Sequence, residues 1–349
     1  MEDNRILTVE NLTVQFRVRG RVLTALRGID LELHRGETLA IVGESGSGKS
    51  VLTKTFAGML ESNGQIAGGS ILFDGQELTK LRRQRDWAKL RGSQIATVFQ
   101  DPMTSLNPIL TIGRQLMDPI MAHQGCSRSV ARMRALEMMA KVGISEPEKR
   151  FDDYPFQYSG GMRQRIVIAI ALCCQPRILI CDEPTTALDV TIQAQILELI
   201  RNLQKEWGYS IIFITHDLGV VANMADRVAV LYAGQVVELG TAEEIFYDPR
   251  HPYTWALLSS LPQLARRNGP LYSIPGGPPS LYREIRGDAF APRSDYAMKI
   301  DGLLPPPMFS VSSTHSARTW LLDPRCPKVE PPEQIRNLHS TLVAGEERD

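Results

Sequence analysis

Neither sign of charge predominates in this chain of 349 residues: Lys+Arg and Asp+Glu both number 39, and the formal net charge is zero. That balance argues against a dominant face for the nucleic-acid backbone, although it leaves room for a local basic patch. Cysteine is scarce as well. The five cysteines are odd in number, irregularly spaced and form no C-x-x-C pair. Cys173, Cys174 and Cys181 stand in apolar sequence, as reduced core residues of a cytosolic protein do. The longest apolar run, residues 166–174, is too short to span a bilayer. The N-terminus (Met1, Glu2, Asp3, Asn4, Arg5) is polar, with no secretory apolar region after it. The chain is therefore expected not to enter a membrane by itself, while remaining free to dock on a membrane protein. It also lacks a whole-domain repeat and a long heptad run. Its hydrophobic fraction of 43% is ordinary for a globular protein, and its length suits one large domain with an appendage, or two domains.

Against these absences stands one dense motif. Gly43, Glu44, Ser45, Gly46, Ser47, Gly48, Lys49 and Ser50 match G-x-x-x-x-G-K-[ST] in full. The largely apolar residues 37–42 before it read as a strand, and residues 51–60 after it as a helix. Glycines let the backbone curl around a phosphate chain, and the amides of the turn and helix start then point at the anion. Lys49 can reach the β- and γ-phosphates, and the Ser50 hydroxyl can ligate Mg²⁺.

Upstream, residues 6–16 and 22–33 alternate as antiparallel strands around a basic turn. Phe16 ends the first of them; local sequence reads it as a core or edge aromatic, and a base-stacking position is the alternative. Residues 64–69 read as a glycine-containing loop before a strand at 70–73, and residues 95–99 as a strand closed by Gln100, Asp101 and Pro102. From 103 to about 165 helical patterns punctuated by prolines suggest a helical insertion into an α/β core. Ser159, followed by Gly160 and Gly161, is placed to cap a helix and aim its free amides outward, a second anion site. Asp182 and Glu183 follow a buried-type strand at its carboxyl end, where open α/β sheets put ligands and catalysis. Asp182 can hold the Mg²⁺ environment and Glu183 can polarise a water. His216 ends another apolar strand in the same way. Beyond residue 248 the chain turns rich in proline and glycine, as in Pro275, Gly276, Gly277, Pro278 and Pro279.

The ordered set resembles the ATP-binding subunits of ATP-binding-cassette transporters. The phosphate loop comes first, then Gln100. The Tyr158, Ser159, Gly160, Gly161, Met162 run is similar to the family signature, and Asp182, Glu183, the Ala187, Leu188, Asp189 run and His216 follow. The consensus signature has Gln at the position of Met162; peptide importers commonly have Met there. In the tail, the run from His251 to Trp255, the run from Ile274 to Pro279, and Phe290, Ala291, Pro292 and Arg293 resemble oligopeptide/dipeptide importer ATPases. The chain as a whole is similar to the first of the two ATPases of Gram-positive oligopeptide permeases.

The resemblance implies a fold: an α/β phosphate-loop NTPase cassette at 1–248. This has a mixed central sheet, an antiparallel β subdomain and a helical subdomain at about 103–165, with a small loop-rich C-terminal extension at 249–349. It implies ATP and Mg²⁺ as cofactors, with Ser50, Gln100 and Asp182 at the metal and Phe16 on the adenine. The loop Gly43, Ser45, Gly46, Ser47, Gly48, Lys49 and Ser50 would hold the phosphates. Glu183 would be base or water-polariser, with His216 and Lys49 beside it. Ser159, Gly160 and Gly161 would contact the γ-phosphate bound by a partner, and Asp189 would couple the two sites.

The implied partners are a sister ATPase in a heterodimer, two transmembrane permease subunits and, indirectly, an extracellular peptide-binding protein. No nucleic acid is expected. The location is peripheral, on the cytoplasmic face of the cell membrane. Many relatives carry iron–sulfur cysteines in the tail where Asp288, Ser294, Asp301 and Thr319 stand here, so no cluster is expected. Alternatives are the same ATPase role with a dipeptide, glutathione, nickel or opine cargo, a non-transport ATPase of the superfamily, or a degenerate partner. The intact Lys49, Asp182, Glu183 and His216 argue against the last.

Overall fold

The computed structural model describes residues 4–186, 188–261, 272–336 and 338. Met1, Glu2, Asp3 and Ala187 lie outside the described residues, as do parts of the tail. Alternation builds the first layer. β1 (Arg5–Val18) and β2 (Arg21–His34) pair antiparallel, with Leu12, Val14, Leu26, Ile29 and Leu33 fully buried on the inner face. β3 (Thr38–Val42) and α1 (Lys49–Phe56) flank the glycine-rich loop. β4 (Gly64–Phe73) and β5 (Gln76–Glu77) complete an antiparallel sheet ordered β2-β1-β4-β5.

Residues 64–69, expected as a loop, are thus the first part of a strand. They pair across to β1, with Gln65 opposite Gln15 and Ile66 opposite Val14. Gly64 faces Phe16, and a Cβ there would come within 2.6 Å of the ring. Gly64 admits a neighbour rather than breaking the strand.

The chain continues through α2 (Gln84–Leu90) and β6 (Ile95–Val98) into helices α3 (Pro102–Ser105), α4 (Ile112–Gln124), α5 (Arg128–Lys141) and α6 (Pro147–Arg150). α7 (Gly160–Leu172) brings it back to β7 (Ile178–Asp182), α8 (Val190–Trp207) and β8 (Ser210–Ile214). α9 (Leu218–Met224) then precedes the β9 (Arg227–Tyr232) and β10 (Gln235–Thr241) hairpin, and α10 (Ala242–Tyr247) opens with a reciprocal Thr241–Glu244 capping box. The remaining described α-helices and strands are α11 (Pro252–Ser259), β11 (Phe309–Ser310), β12 (Ser316–Ala317) and α12 (Glu333–Arg336).

The second sheet runs β11-β12-β10-β9-β3-β8-β7-β6, with the segment from β9 to β6 parallel. Parallel strands covered on both faces read as continuous apolar runs, and every residue of β3 and β8 is buried. The carboxyl ends of β3, β7 and β8 therefore open on one edge of the core.

The tail adds its own strands to this sheet. Ala317 pairs with Glu238 on β10. Glu238 is wholly buried, accepts the backbone N–H of Arg250 at 2.5 Å and of His251 at 3.0 Å, and lies 2.8 Å from His315 Nε2. Removing that carboxylate strands two buried polar groups, on His251 and His315, and a half-buried one on Arg250. Glu238→Ala is expected to cost about 3 kcal/mol and to lower the thermal unfolding midpoint by several degrees. An unchanged midpoint for the purified chain would mean that other contacts hold the tail.

Candidate functional site

The loop between β3 and α1 owes its shape to glycine at two points. Gly43 has φ 148°, and a Cβ there would sit 2.1 Å from the Leu231 carbonyl oxygen. Gly48 has φ 110° and caps α1. The loop is further pinned where Gly234 N–H donates to the Ser47 carbonyl at 2.8 Å. Lys49 is only 7% exposed, and its Nζ donates to the carbonyls of Gly43 at 2.7 Å and Glu44 at 3.0 Å. Burial lowers the Lys49 pKa, while the charges of Glu183, Asp182 and Glu44 oppose the shift.

Asp182 and Glu183 arrive from the end of β7. Burial raises the Asp182 pKa, offset by a hydrogen bond from the Ser50 hydroxyl and by Lys49, and reinforced by the Glu183 charge. Glu183 sits in the left-handed region at φ 49°, an unfavourable conformation for a residue with a Cβ, and its N–H is held by the Ile214 carbonyl at 2.9 Å. Its carboxylate is aimed from three sides. Gln100 Nε2 donates to Oε2 at 3.0 Å, as does the Thr186 hydroxyl at 3.0 Å, and His216 Nδ1 lies 3.3 Å from Oε1. The positioning groups come from the ends of β6, β7 and β8, far apart in sequence.

These residues line one cleft of about 520 Å³. Ser45, Gly46, Gly48, Lys49, Ser50, Gln100, Asp182, Glu183 and His216 form its polar lining, and Leu23, Ala25, Val51 and Leu281 its apolar lining. The size and the division of polarity suit a small ligand with an anionic and an apolar end. Ser50, Gln100 and Asp182 offer a hydroxyl, an amide and a carboxylate in the polar lining, and their oxygens are the hard donors that Mg²⁺ takes.

Other sequence candidates fall elsewhere. Phe16 is 7% exposed, packs on Gly64 in the core of the antiparallel sheet, and is not among the residues lining the cleft. The aliphatic Leu23, Ala25 and Leu281 also line the cleft, and no motif signalled them. Ser159 caps α7, its hydroxyl accepting Met162 N–H at 3.3 Å, and Ser159 and Gly160 are exposed. A Cβ on Gly161 would lie 2.8 Å from Ile192 Cγ2, and Ile192 N–H is in turn accepted by Asp189 Oδ1 at 3.0 Å. The α7 N-terminus and Asp189 therefore belong to one exposed region, outside the cleft lining.

In the tail, Asp288, Ser294, Asp301 and Thr319 accept backbone N–H groups of Phe290, Tyr296, Met298 and Leu321 at 3.0, 3.2, 2.6 and 3.3 Å. Each closes a short turn with oxygen.

Comparison with known proteins agrees with this architecture. The family model for "ABC transporter" matches residues 26–186. That for "Oligopeptide/dipeptide transporter, C-terminal region" matches residues 237–300. Among solved structures, a dimeric ATP-binding cassette in a post-hydrolysis state with ADP and Pi superposes with a TM-score of 0.60 at 29% identity, over 68% of this chain and 98% of that one. cbiO1 from Clostridium perfringens, part of an ABC transporter complex, gives 0.61 at 32% identity, over 70% and 92%. The cassette fold and its phosphate-loop cleft are those of an ABC-type nucleotide-binding ATPase.

The chain is 64% identical to the oligopeptide transport ATP-binding protein AmiE of Streptococcus pneumoniae, over 98% of this chain and 96% of that protein. It is 55% identical to OppD of Bacillus subtilis, another oligopeptide transport ATP-binding protein, over 95% and 93%. It is 54% identical to the dipeptide transport ATP-binding protein DppD of Lactococcus lactis, over 96% of both. It belongs to the peptide-transport ATP-binding proteins of the ABC transporter family.

Proposed function

We propose that this chain is the ATP-hydrolysing subunit that energises an importer of oligopeptides. It would work beside a sister ATPase on the cytoplasmic face of the cell membrane, against two transmembrane permease subunits supplied by an extracellular peptide-binding protein. The observation that carries the hydrolytic part is the carboxylate of Glu183, oriented by Gln100, Thr186 and His216 at the mouth of the phosphate loop. The cargo part rests on the peptide-transport relatives.

ATP is held by its phosphates on the amides of Gly46 to Ser50, with Lys49 swinging from the Gly43 and Glu44 carbonyls to the β- and γ-oxygens. Ser50, Gln100 and Asp182 are the residues that would hold Mg²⁺, which when bound neutralises phosphate charge. Glu183 accepts a hydrogen bond from the attacking water and polarises it, and His216 holds that water against the γ-phosphate. The exposed Ser159 and Gly160 offer the free amides of α7 to the nucleotide on the partner ATPase, and the adjacent Asp189 couples the two sites. The dimeric cassette neighbour with ADP and Pi supports this pairing. Because catalysis here is positioning and electrostatics, a lone subunit hydrolyses poorly.

An apolar surface beside Gln100 supports docking on membrane subunits. Phe99, Met103, Ile109, Tyr154 and Phe156 are exposed. Arg163 ties two of them together, reaching Met103 Sδ and the Phe156 carbonyl, and also donates to the Pro155 carbonyl. No helix of the described residues is long and apolar enough to cross a membrane.

The test is uptake of a labelled oligopeptide by cells carrying either the normal gene or Glu183→Gln at matched protein level. Uptake is expected to collapse in the variant. Normal uptake would remove oligopeptides as the cargo. The 54% identity to a dipeptide transport protein favours a dipeptide as the second reading, checked by the same assay with a labelled dipeptide.

A further inference from the structure

The C-terminal extension reaches the nucleotide cleft. Leu281, which lies 258 positions beyond Leu23 (281 − 23), lines the cleft with it and with Ala25. It is held there by a main-chain bond: Thr24 N–H on β2 donates to the Leu281 carbonyl at 3.1 Å. The segment leading to it is anchored too. Arg293 Nε donates to the Pro275 carbonyl at 2.7 Å.

The same guanidinium grips the phosphate loop. Its NH1 and NH2 donate to Glu44 Oε2 and Oε1 at 2.6 and 2.9 Å, a two-pronged pair, and the Arg293 side chain is 5% exposed. The paired Glu44 carboxylate raises the Arg293 pKa. NH1 also donates to the Tyr232 hydroxyl at 3.1 Å. The backbone of Glu44 is held from the tail side as well, its N–H donating to the Tyr253 hydroxyl at 2.8 Å. One residue of the phosphate loop is thus gripped through both side chain and main chain by residues beyond 248.

We infer that the C-terminal extension is a working part of the nucleotide site: Leu281 forms the apolar wall for the base and sugar of ATP, and Arg293 is the positioning residue that ties that wall to the phosphate loop. The inference rests on the reading of the cleft as the ATP site. It follows from polarity. Lys49, Ser50 and the loop amides take the phosphates, which leaves Leu23, Ala25 and Leu281 as the apolar lining outside the phosphate loop and α1 for the base and sugar. Phe16, buried on Gly64, is not at that wall. Aliphatic walls of this kind gain affinity by covering apolar ring surface and make little contact with the phosphates.

The experiment is isothermal titration of the purified full chain with Mg²⁺ and either ATP or inorganic tripolyphosphate. The variants are Leu281→Ala, Leu281→Met, Arg293→Lys and Lys49→Ala. Leu281→Ala is expected to weaken ATP about five- to tenfold and tripolyphosphate no more than about twofold, with Leu281→Met close to the parent. A merely structural role for Leu281 would weaken both ligands alike, and that result overturns the wall. Arg293→Lys keeps the charge and loses the fork. It is expected to weaken ATP, with a loss less than additive with that of Leu281→Ala. Full additivity would overturn its part in positioning Leu281. If Lys49→Ala weakens ATP while Leu281→Ala does not, the tail's contribution fails alone. If neither changes ATP binding, the nucleotide reading of the cleft fails, and the inference with it.

Discussion

Glu183→Gln is expected to lower ATP turnover by the assembled transporter about 100- to 10 000-fold, the range a positioned general base contributes, while ATP binding survives. The substitution keeps the shape of the side chain. The amide oxygen can still accept from Gln100 or Thr186, which now reach the carboxylate at 3.0 Å each, so the local scaffold persists. What disappears is the negative charge that polarises water and that faces His216 across 3.3 Å. The backbone at φ 49° is unaffected by this change, which separates chemistry from folding. Steady-state phosphate release measured beside ATP binding decides the matter. Turnover at the parental rate would remove Glu183 from the hydrolytic step.

Lys49→Ala is expected to act on binding instead. Its Nζ is buried against the Gly43 and Glu44 carbonyls at 2.7 and 3.0 Å, beside the charges of Asp182, Glu183 and Glu44. Without it the loop loses the cation that a triphosphate requires, and those carboxylates repel the ligand unopposed. Charge-assisted hydrogen bonds are worth about 1.5–3 kcal/mol each. Losing two corresponds to a drop in ATP affinity of about 100-fold or more. Direct titration of ATP onto the purified variant is the check; parental affinity would sink the assignment of the phosphate loop. Lowered burial strain at Lys49 also means that the apo variant is expected to remain folded.

The polar half of the cleft was legible in local sequence because strand, glycine turn and helix follow one another over a few residues. Gly43 to Ser50 need no distant partner to be recognised, and Asp182, Glu183 and His216 each follow an apolar strand that ends in the same edge of the sheet. Ser159 announced itself as a helix cap, since capping is settled by neighbours within three residues; that Asp189 caps α8 in the same way was not read from the sequence. Residues 64–69 misled, because a glycine in a strand pattern looks like a break until the aromatic that covers it is known. Local sequence reads Phe16 as a core or edge aromatic and the family resemblance as a base-stacking one; its cross-strand partner Gly64 sets where the ring lies.

The sequence by itself determined the class of protein, because the phosphate loop and the acidic strand end are short motifs whose spacing is set by the backbone. Only the tertiary structure decided how the tail meets the cassette. Leu281 on Thr24, Arg293 on Glu44 and Glu238 under His315 join positions separated by tens to hundreds of residues. Such contacts depend on which strand edge the tail joins, and no periodicity or local propensity carries that information.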